Sequence, residues 1–310
     1  QIEKNMANAG MHLFAPADTY RMDGSQAKDP GNNGTNHPSG VMTYFYLQED
    51  PDTTEVALTY YDSEGTEIRR FSTKEKEKKD KLEVKEGANY FNWDMLYPEG
   101  EKFDGMILWW ASLDGPKAVP GNYTVRLTVG EETVEAPFKI INDPRSDSSD
   151  ADLQAQFTFV KEVTNKVTEA HETIKDIRNV RKQFDHYRER LKDDEEYSDL
   201  IELANDIDST MTIVEETLYQ TKNRSRQDPL NFPIRLTNKL AHLNSLMRNG
   251  NEAPTAQSVA VKEELTQEID EQLDEFKRIR ENEIPKFNQL MRAKSVDAII
   301  LKEEEKGVIN

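Results

Sequence analysis

No cysteine occurs among the 310 residues, which excludes a disulfide frame, a thiol nucleophile and a thiolate metal site, and leaves the redox compartment open. No apolar run approaches the ~20 residues that a membrane-spanning helix needs, so no membrane insertion is expected. Basic charge is in deficit, with 40 Lys plus Arg against 59 Asp plus Glu and a net charge of −19. A sequence-independent grip on nucleic acid or anionic lipid needs clustered cations against phosphate, so neither is expected as a partner. From Gln1 onward there is no basic, apolar signal region, and any targeting peptide is expected to be absent or already removed. Also missing are a Gly-Lys-Ser/Thr phosphate cradle, a Gly-x-Ser-x-Gly elbow and a Gly-x-Gly-x-x-Gly turn after a strand. His12, His37, His171, His186 and His242 include no pair at metal-ligand spacing with an acid between them, and they read as surface or partly packed imidazoles. Asp18, Asp23 and Asp29 lack the twelve-residue spacing and terminal Glu of a calcium loop. Neither a metal nor a cofactor is expected. With 59 acids some pair must lie at the separation used by glycosidases, so that signal discriminates nothing.

What is present falls into three stretches. Residues 1–40 mix Gly, Asn, Pro and Asp, as in Asp23-Gly24, Asp29-Pro30-Gly31-Asn32-Asn33-Gly34 and Pro38-Ser39-Gly40, and read as a loop-rich lead-in. Its sticky patch, Met11-His12-Leu13-Phe14-Ala15-Pro16 with Tyr20, should pack on something. Residues 41–145 alternate like antiparallel strands, at Val41–Gln48, Glu55–Asp62, Glu67–Phe71, Ala88–Asp94, Met106–Ala111, Asn122–Val129 and Thr133–Ile141. Asp62-Ser63-Glu64-Gly65, Pro120-Gly121 and Gly130-Glu131 supply reversals. About seven short strands in about a hundred residues fit an immunoglobulin-like antiparallel β-sandwich, with Val56, Leu58, Tyr60, Phe91, Trp93, Tyr123, Val125 and Leu127 facing inward. The mixed-charge run from Lys74 to Lys81 reads as a solvated loop, because its signs nearly cancel.

The period changes at Asp143-Pro144-Arg145-Ser146-Asp147-Ser148-Ser149-Asp150, and residues 146–310 read as an antiparallel helical bundle of three long helices and one short one. From Leu153 to Leu191 apolar residues recur at steps of three or four, a stripe on a helix that at ~1.5 Å per residue would be about 60 Å long. A second helix carries Leu200 to Leu218, a short one Leu236 to Met247, and a last one runs from about Thr255 with Pro285 kinking it. Lys302 to Asn310 reads as frayed.

Aromatics crowd one stretch: Tyr90, Phe91, Trp93, Tyr97, Phe103, Trp109 and Trp110. Trp109 and Trp110 cannot both face one side of a strand. The outward one is expected to be covered by a neighbouring domain, ahead of a loop of its own domain or a stacked sugar.

Three strings, Asp62-Ser63-Glu64-Gly65-Thr66-Glu67-Ile68-Arg69-Arg70-Phe71, Asn89-Tyr90-Phe91-Asn92-Trp93-Asp94 and Pro120-Gly121-Asn122-Tyr123-Thr124-Val125-Arg126-Leu127, resemble the immunoglobulin-like module of flagellar hook-capping proteins. Four further strings are Met11-His12-Leu13-Phe14-Ala15-Pro16, Gly105-Met106-Ile107-Leu108-Trp109, Ala151-Asp152-Leu153-Gln154-Ala155-Gln156-Phe157 and Phe232-Pro233-Ile234-Arg235-Leu236-Thr237-Asn238-Lys239-Leu240. With them, the order along nearly the whole chain is similar to the C-terminal third of bacterial sortilin-like proteins, exported chains with BNR-type β-propellers that are often labelled glycosyl hydrolases. No Ser-x-Asp-x-Gly-x-x-Trp propeller repeat occurs here. The resemblance therefore implies a fragment that lies in the periplasm, at the cell surface or outside a bacterium, without the part on which a hydrolase label would rest. No catalytic residue carries over.

The resulting expectation is a non-catalytic assembly module, docked on an upstream β-propeller and offering its helices to a protein partner. Met11, Leu13, Phe14, Tyr20, Tyr97, Phe103, Trp109 and Trp110 are the candidate interaction residues. The rival is a glycan-active or peptide-active hydrolase using Asp94, Asp104 or Asp114 near the Trp pair.

Overall fold

The computed structural model describes residues 10–22, 39–248 and 250–296. The segment 23–38 with its turn formers, His37, Asp23 and Asp29, and the final stretch Lys302 to Asn310, lie outside the described residues. The chain forms two compact units, one from described residues within 1–100, 110–167 and 241–262, the other from 101–109, 168–240 and 263–310. The boundary does not follow the change of period near 143–150, because residues 150–167 count with the sheets.

In the first unit, β1 (Met11–Leu13), β3 (Val41–Leu47) and β6 (Gly87–Trp93) make a three-stranded antiparallel sheet in the order β1-β3-β6. A second sheet holds β2 (Thr19–Arg21), β4 (Val56–Tyr61), β5 (Glu67–Ser72), β7 (Gly121–Val129) and β8 (Glu132–Asn142) in the order β2-β8-β7-β4-β5. Strand alternation is clean in β3, where Val41, Thr43, Phe45 and Leu47 are buried and the residues between them are not. Asp62 makes the β4 to β5 reversal by accepting the N–H groups of Glu64 and Thr66 at 3.0 and 2.9 Å, and Gly65 takes the left-handed conformation at φ +81°. Gly130 at φ +60° does the same between β7 and β8, where Val129 pairs with Glu132. Both sheets feed one buried cluster that includes Phe45, Leu47, Leu58, Tyr60, Trp93, Val125, Leu127 and Phe138. Tyr60 stacks on Trp93 with ring centroids 4.6 Å apart and shares a 2.8 Å hydrogen bond with the Thr43 hydroxyl.

Three features differ from the sequence reading. The lead-in is not only loop, since β1 pairs with β3 and β2 with β8. The sheets are not wholly antiparallel either, because β2 lies parallel to β8. Met106–Ala111 is no strand. Its donors find side chains instead of a ladder: Ile107 N–H donates to the Tyr219 hydroxyl at 2.9 Å and Trp109 N–H to Asn238 at 2.7 Å.

Helix α1 (Asp150–Leu191) starts on a reciprocal cap. Ser149 Oγ accepts from Asp152 N–H at 3.2 Å, while the Asp152 carboxylate accepts from Ser149 N–H and hydroxyl at 2.9 and 2.7 Å. Those bonds hold the Asp152 carboxyl below the usual range. The start of α1 joins the sheet unit through a polar hub. Gln156 Oε1 accepts from buried Arg21 at 3.0 Å, and its Nε2 donates to the carbonyls of Met247 and Gly250, both at 2.9 Å. Then follow α2 (Ser198–Leu218), α3 (Leu236–Met247), α4 (Ala256–Arg278), a π-helical turn over Ile279–Glu283 and α5 (Ile284–Ala293), which carries Pro285 in its first turn. Among the described residues no helix is long and apolar enough to cross a membrane.

Candidate functional site

Trp110 is one of the described non-glycine residues on left-handed backbone, with Asp52, Met95 and Ser295. It lies at φ +50°, left-handed backbone that costs a non-glycine residue about 1–3 kcal/mol, and its side chain is 75 % exposed. A large ring held toward water on strained backbone has to be fixed from outside. His242 does part of this: its Nδ1 lies 2.6 Å from the Trp110 carbonyl, and since a carbonyl only accepts, that nitrogen carries the proton. Ser112 N–H donates to the Ala241 carbonyl at 3.3 Å. Asn244, fully buried, donates to the carbonyls of Ser112 and Asp114 at 3.1 and 2.8 Å. Arg248 pairs with Asp114 and donates to the Ser112 hydroxyl at 3.1 Å. One helical stretch, 241–248, therefore seats the segment 110–114, because residues three and four apart share a helix face. Leu246, one turn beyond His242, is exposed as well.

In the second unit the preceding residue is gripped by one side chain. Asn238 accepts from Trp109 N–H at 2.7 Å and donates to the Trp109 carbonyl at 2.9 Å, so its amide imitates a strand partner. Phe103 is buried there with its edge toward His171 and Tyr219, at centroid distances of 5.0 and 4.9 Å, and Arg178 stacks over it at 4.6 Å.

The eight candidate residues do not form one surface. Leu13 is in the shared core, Met11 and Phe14 are half-buried, and Tyr20 is 44 % exposed. Tyr97 packs edge-on against Phe157 at 4.9 Å. Phe103 is buried and Trp109 half-buried, both in the second unit. Trp110 is the one displayed on strained backbone. The residues that seat it, His242, Asn244 and Arg248, are absent from the candidate set, and only the four-residue step from Asn244 to Arg248 at the end of a short helix hints at a shared task.

A depression of about 590 Å³ in the first unit is lined by Arg69, Asp80, Phe91, Asp94, Tyr97, Glu99 and Asp114, among others. Trp109 and Trp110 do not line it. Its charges already have duties: Asp80 pairs with Arg69, Glu99 with Lys79 and Asp114 with Arg248, while Asp94 accepts the Leu96 N–H at 2.9 Å. Asp104, the third acid considered, is exposed in the second unit.

His171 is the buried titratable group with a pH consequence. Its Nδ1 lies 2.7 Å from the Glu101 carbonyl and so carries the proton, while Nε2 is buried without a hydrogen-bond partner. Burial pushes its pKa below the ordinary value, against the opposing pull of the Glu101 carbonyl. The folded state keeps His171 neutral. Stability is therefore complete above the unfolded value of about 6.5 and declines as pH falls from there toward the folded pKa, because only the unfolded chain takes up the proton. Thermal melts of wild type and His171→Gln between pH 7 and pH 5 should show the steeper loss in wild type, by at most about 1.4 kcal/mol per pH unit. Parallel slopes would show that His171 is protonated inside the fold.

No family model and no curated protein matches this chain. Among solved structures, a chain named "pT26-6p" aligns with 77 % of this chain and 45 % of its own length, at 12 % identity and a TM-score of 0.15. This chain thus spans less than half the length of that structure, and a TM-score so low carries no argument about fold.

Proposed function

We propose that this chain is a non-catalytic assembly module of an exported bacterial sortilin-like protein, docked on an upstream β-propeller through the surface around Trp110 and offering its helices to a protein partner. The observation that carries the reading is Trp110 itself, a large ring displayed on left-handed backbone and anchored by His242. Local strain of this kind persists where a surrounding network over-determines it, and it concentrates at functional positions. An exposed Trp with an apolar neighbour such as Leu246 suits an interdomain contact of on the order of 600–1,500 Å².

The finer architecture belongs to the same reading. The reading of the sheets as an immunoglobulin-like sandwich is supported by their order, which follows A-B-E and A′-G-F-C-C′ of the variable type without its D and C″ strands when β1, β3 and β6 are taken as the first set and β2, β8, β7, β4 and β5 as the second. Tyr123 near the start of β7 donates its hydroxyl to the Val119 carbonyl at 2.7 Å, the arrangement of a tyrosine corner. Its phenol is pushed up to about 12, chiefly by burial. The helices are read as an antiparallel bundle, supported by the ion-paired seam of α1 and α2 and by the ring contact of Phe184 with Phe287 at 4.8 Å.

The second reading, a glycan-active or peptide-active hydrolase, would have to use the 590 Å³ depression with Asp94 and Asp114. Titration of a sortilin-like β-propeller domain, the partner this reading places upstream, into this chain, followed by Trp fluorescence, separates the two. Binding at roughly micromolar concentration is expected, with Trp110→Glu weakening it about tenfold or more at unchanged Tm. Failure to bind at high micromolar concentration, or glycan cleavage by this chain alone, would overturn the docking reading.

A further inference from the structure

The outer face of the three-stranded sheet is aromatic and uncharged. Its outward positions, alternating with the buried ones, carry Met42, Tyr44 and Tyr46 on β3, Tyr90 and Asn92 on β6, and His12 on β1. Register places Tyr44 opposite Tyr90, Met42 opposite Asn92 and Tyr46 opposite His12. The Tyr44 and Tyr90 ring centroids are 6.3 Å apart at an interplanar angle of 40°, and the two residues are 52 % and 67 % exposed. In a chain that is 32 % charged, a merely solvated sheet face would carry Lys, Glu or Asp at several of these positions. None of the six is Asp, Glu, Lys or Arg.

We infer that this face binds a neutral glycan chain, with Tyr44 and Tyr90 as the stacking shelf. The chemistry on the face selects the occupant. Phenol rings offer flat apolar surface, and the Tyr hydroxyls, the His12 imidazole and the amide oxygen of Asn92, whose nitrogen donates to the Ser39 carbonyl at 2.8 Å, offer hydrogen bonds around it, which is what a pyranose ring with apolar C–H faces and equatorial hydroxyls requires. The missing charge gives an anionic or cationic ligand no partner. The face is small for a stable protein interface: two strands of seven residues and one of three, at ~3.4 Å per residue and ~4.8 Å per strand, have a footprint of only about 280 Å². A stable protein interface needs about 800 Å² on each side, and a second copy of this chain would need the same. A few sugar rings laid along β3 and β6 need no more than this shelf. The face is distinct from the Trp110 surface, so the inference does not depend on the docking reading.

Affinity gel electrophoresis tests it, with the intact chain run through native gels that contain a soluble α-glucan, a mixed-linkage β-glucan, a xylan or a galactomannan, and alginate as the charged control. Retardation is expected in at least one neutral gel and not in alginate. Tyr44→Ala and Tyr90→Ala should each weaken it roughly three- to tenfold, the scale of one aromatic contact. Both tyrosines are exposed, so unchanged melts of the variants verify that the fold is intact. Absence of retardation across the neutral gels, or retardation that survives the double substitution, overturns the inference. So does a loss of self-association in the double variant by sedimentation, which would make the face a contact between copies.

Discussion

Trp93→Ala is expected to destabilise the sheet unit by about 3–5 kcal/mol and to lower its Tm by on the order of 10 °C. Trp93 is fully buried at the last paired position of β6, opposite Val41. Its ring stacks on Tyr60 and meets the edges of Tyr123 and Phe138 at 6.3 and 6.4 Å, so truncation removes the contact that three other rings are arranged around. Neighbours from both sheets cannot collapse into the space without moving the strands, which is why the cavity adds to the lost transfer free energy. A second loss is polar: Trp93 Nε1–H donates to the Leu96 carbonyl at 3.1 Å, and Ala leaves that acceptor to find water. Trp93→Phe should cost less, because most of the ring contact survives and only the donor goes. Denaturant unfolding followed by circular dichroism measures both. An unchanged midpoint for Trp93→Ala would mean that β6 presents its other face to the core.

The core strands were legible because burial alternates as the residues do. Tyr123-Thr124-Val125-Arg126-Leu127 reads inward and outward by turns, and the structure buries Tyr123, Val125 and Leu127. The same rule placed Trp93 inside. The rule fails where hydrogen-bond partners are distant in sequence. Met106 to Ala111 has strand composition, yet Ile107 and Trp109 are satisfied by Tyr219 and Asn238, 112 and 129 positions away. Nothing local announces those partners. β1 and β2 escape for another reason, since three residues are too few for any period to show. Parallel pairing of β2 with β8 depends on where the chain crosses from one sheet to the other, which composition does not encode.

The candidate site was legible only in part. Adjacent Trp109 and Trp110 had to diverge, but which of them faces water depends on the φ of +50° at Trp110 and on His242 holding its carbonyl. Tyr44 and Tyr90 could have been placed outward by alternation alone. Their facing each other depends on the β3 to β6 register, which a single strand pattern leaves open.

Glu215 of α2 is the position where removing one charge should cost most in the second unit. Its carboxylate is almost wholly buried and accepts from Arg178 Nε at 2.7 Å and Arg181 Nη1 at 2.6 Å. The network continues outward, with Arg181 on Asp208 at 2.8 Å and Arg188 on Asp208 at 3.0 Å and on exposed Asp185 at 2.8 Å. Glu215→Ala opens a cavity beside two guanidinium groups and leaves that of Arg178 without a carboxylate, with an expected penalty of about 3–5 kcal/mol. Arg181 keeps its pair with Asp208, whereas Arg178 keeps only its stacking over Phe103 and Tyr219 at 4.6 and 5.7 Å. Glu215→Gln, which keeps the shape and one acceptor, should fall between Ala and wild type. Replacing the set together, Glu215→Leu with Arg178→Leu and Arg181→Leu, should recover much of the loss, since desolvating the charges offsets most of their attraction. By contrast Arg126→Ala, which breaks the solvated pair with Glu135 on β8, should cost about 0–1 kcal/mol. Chemical unfolding of these variants ranks them, and a Glu215→Ala loss as small as that of Arg126→Ala would show that water reaches the seam between α1 and α2.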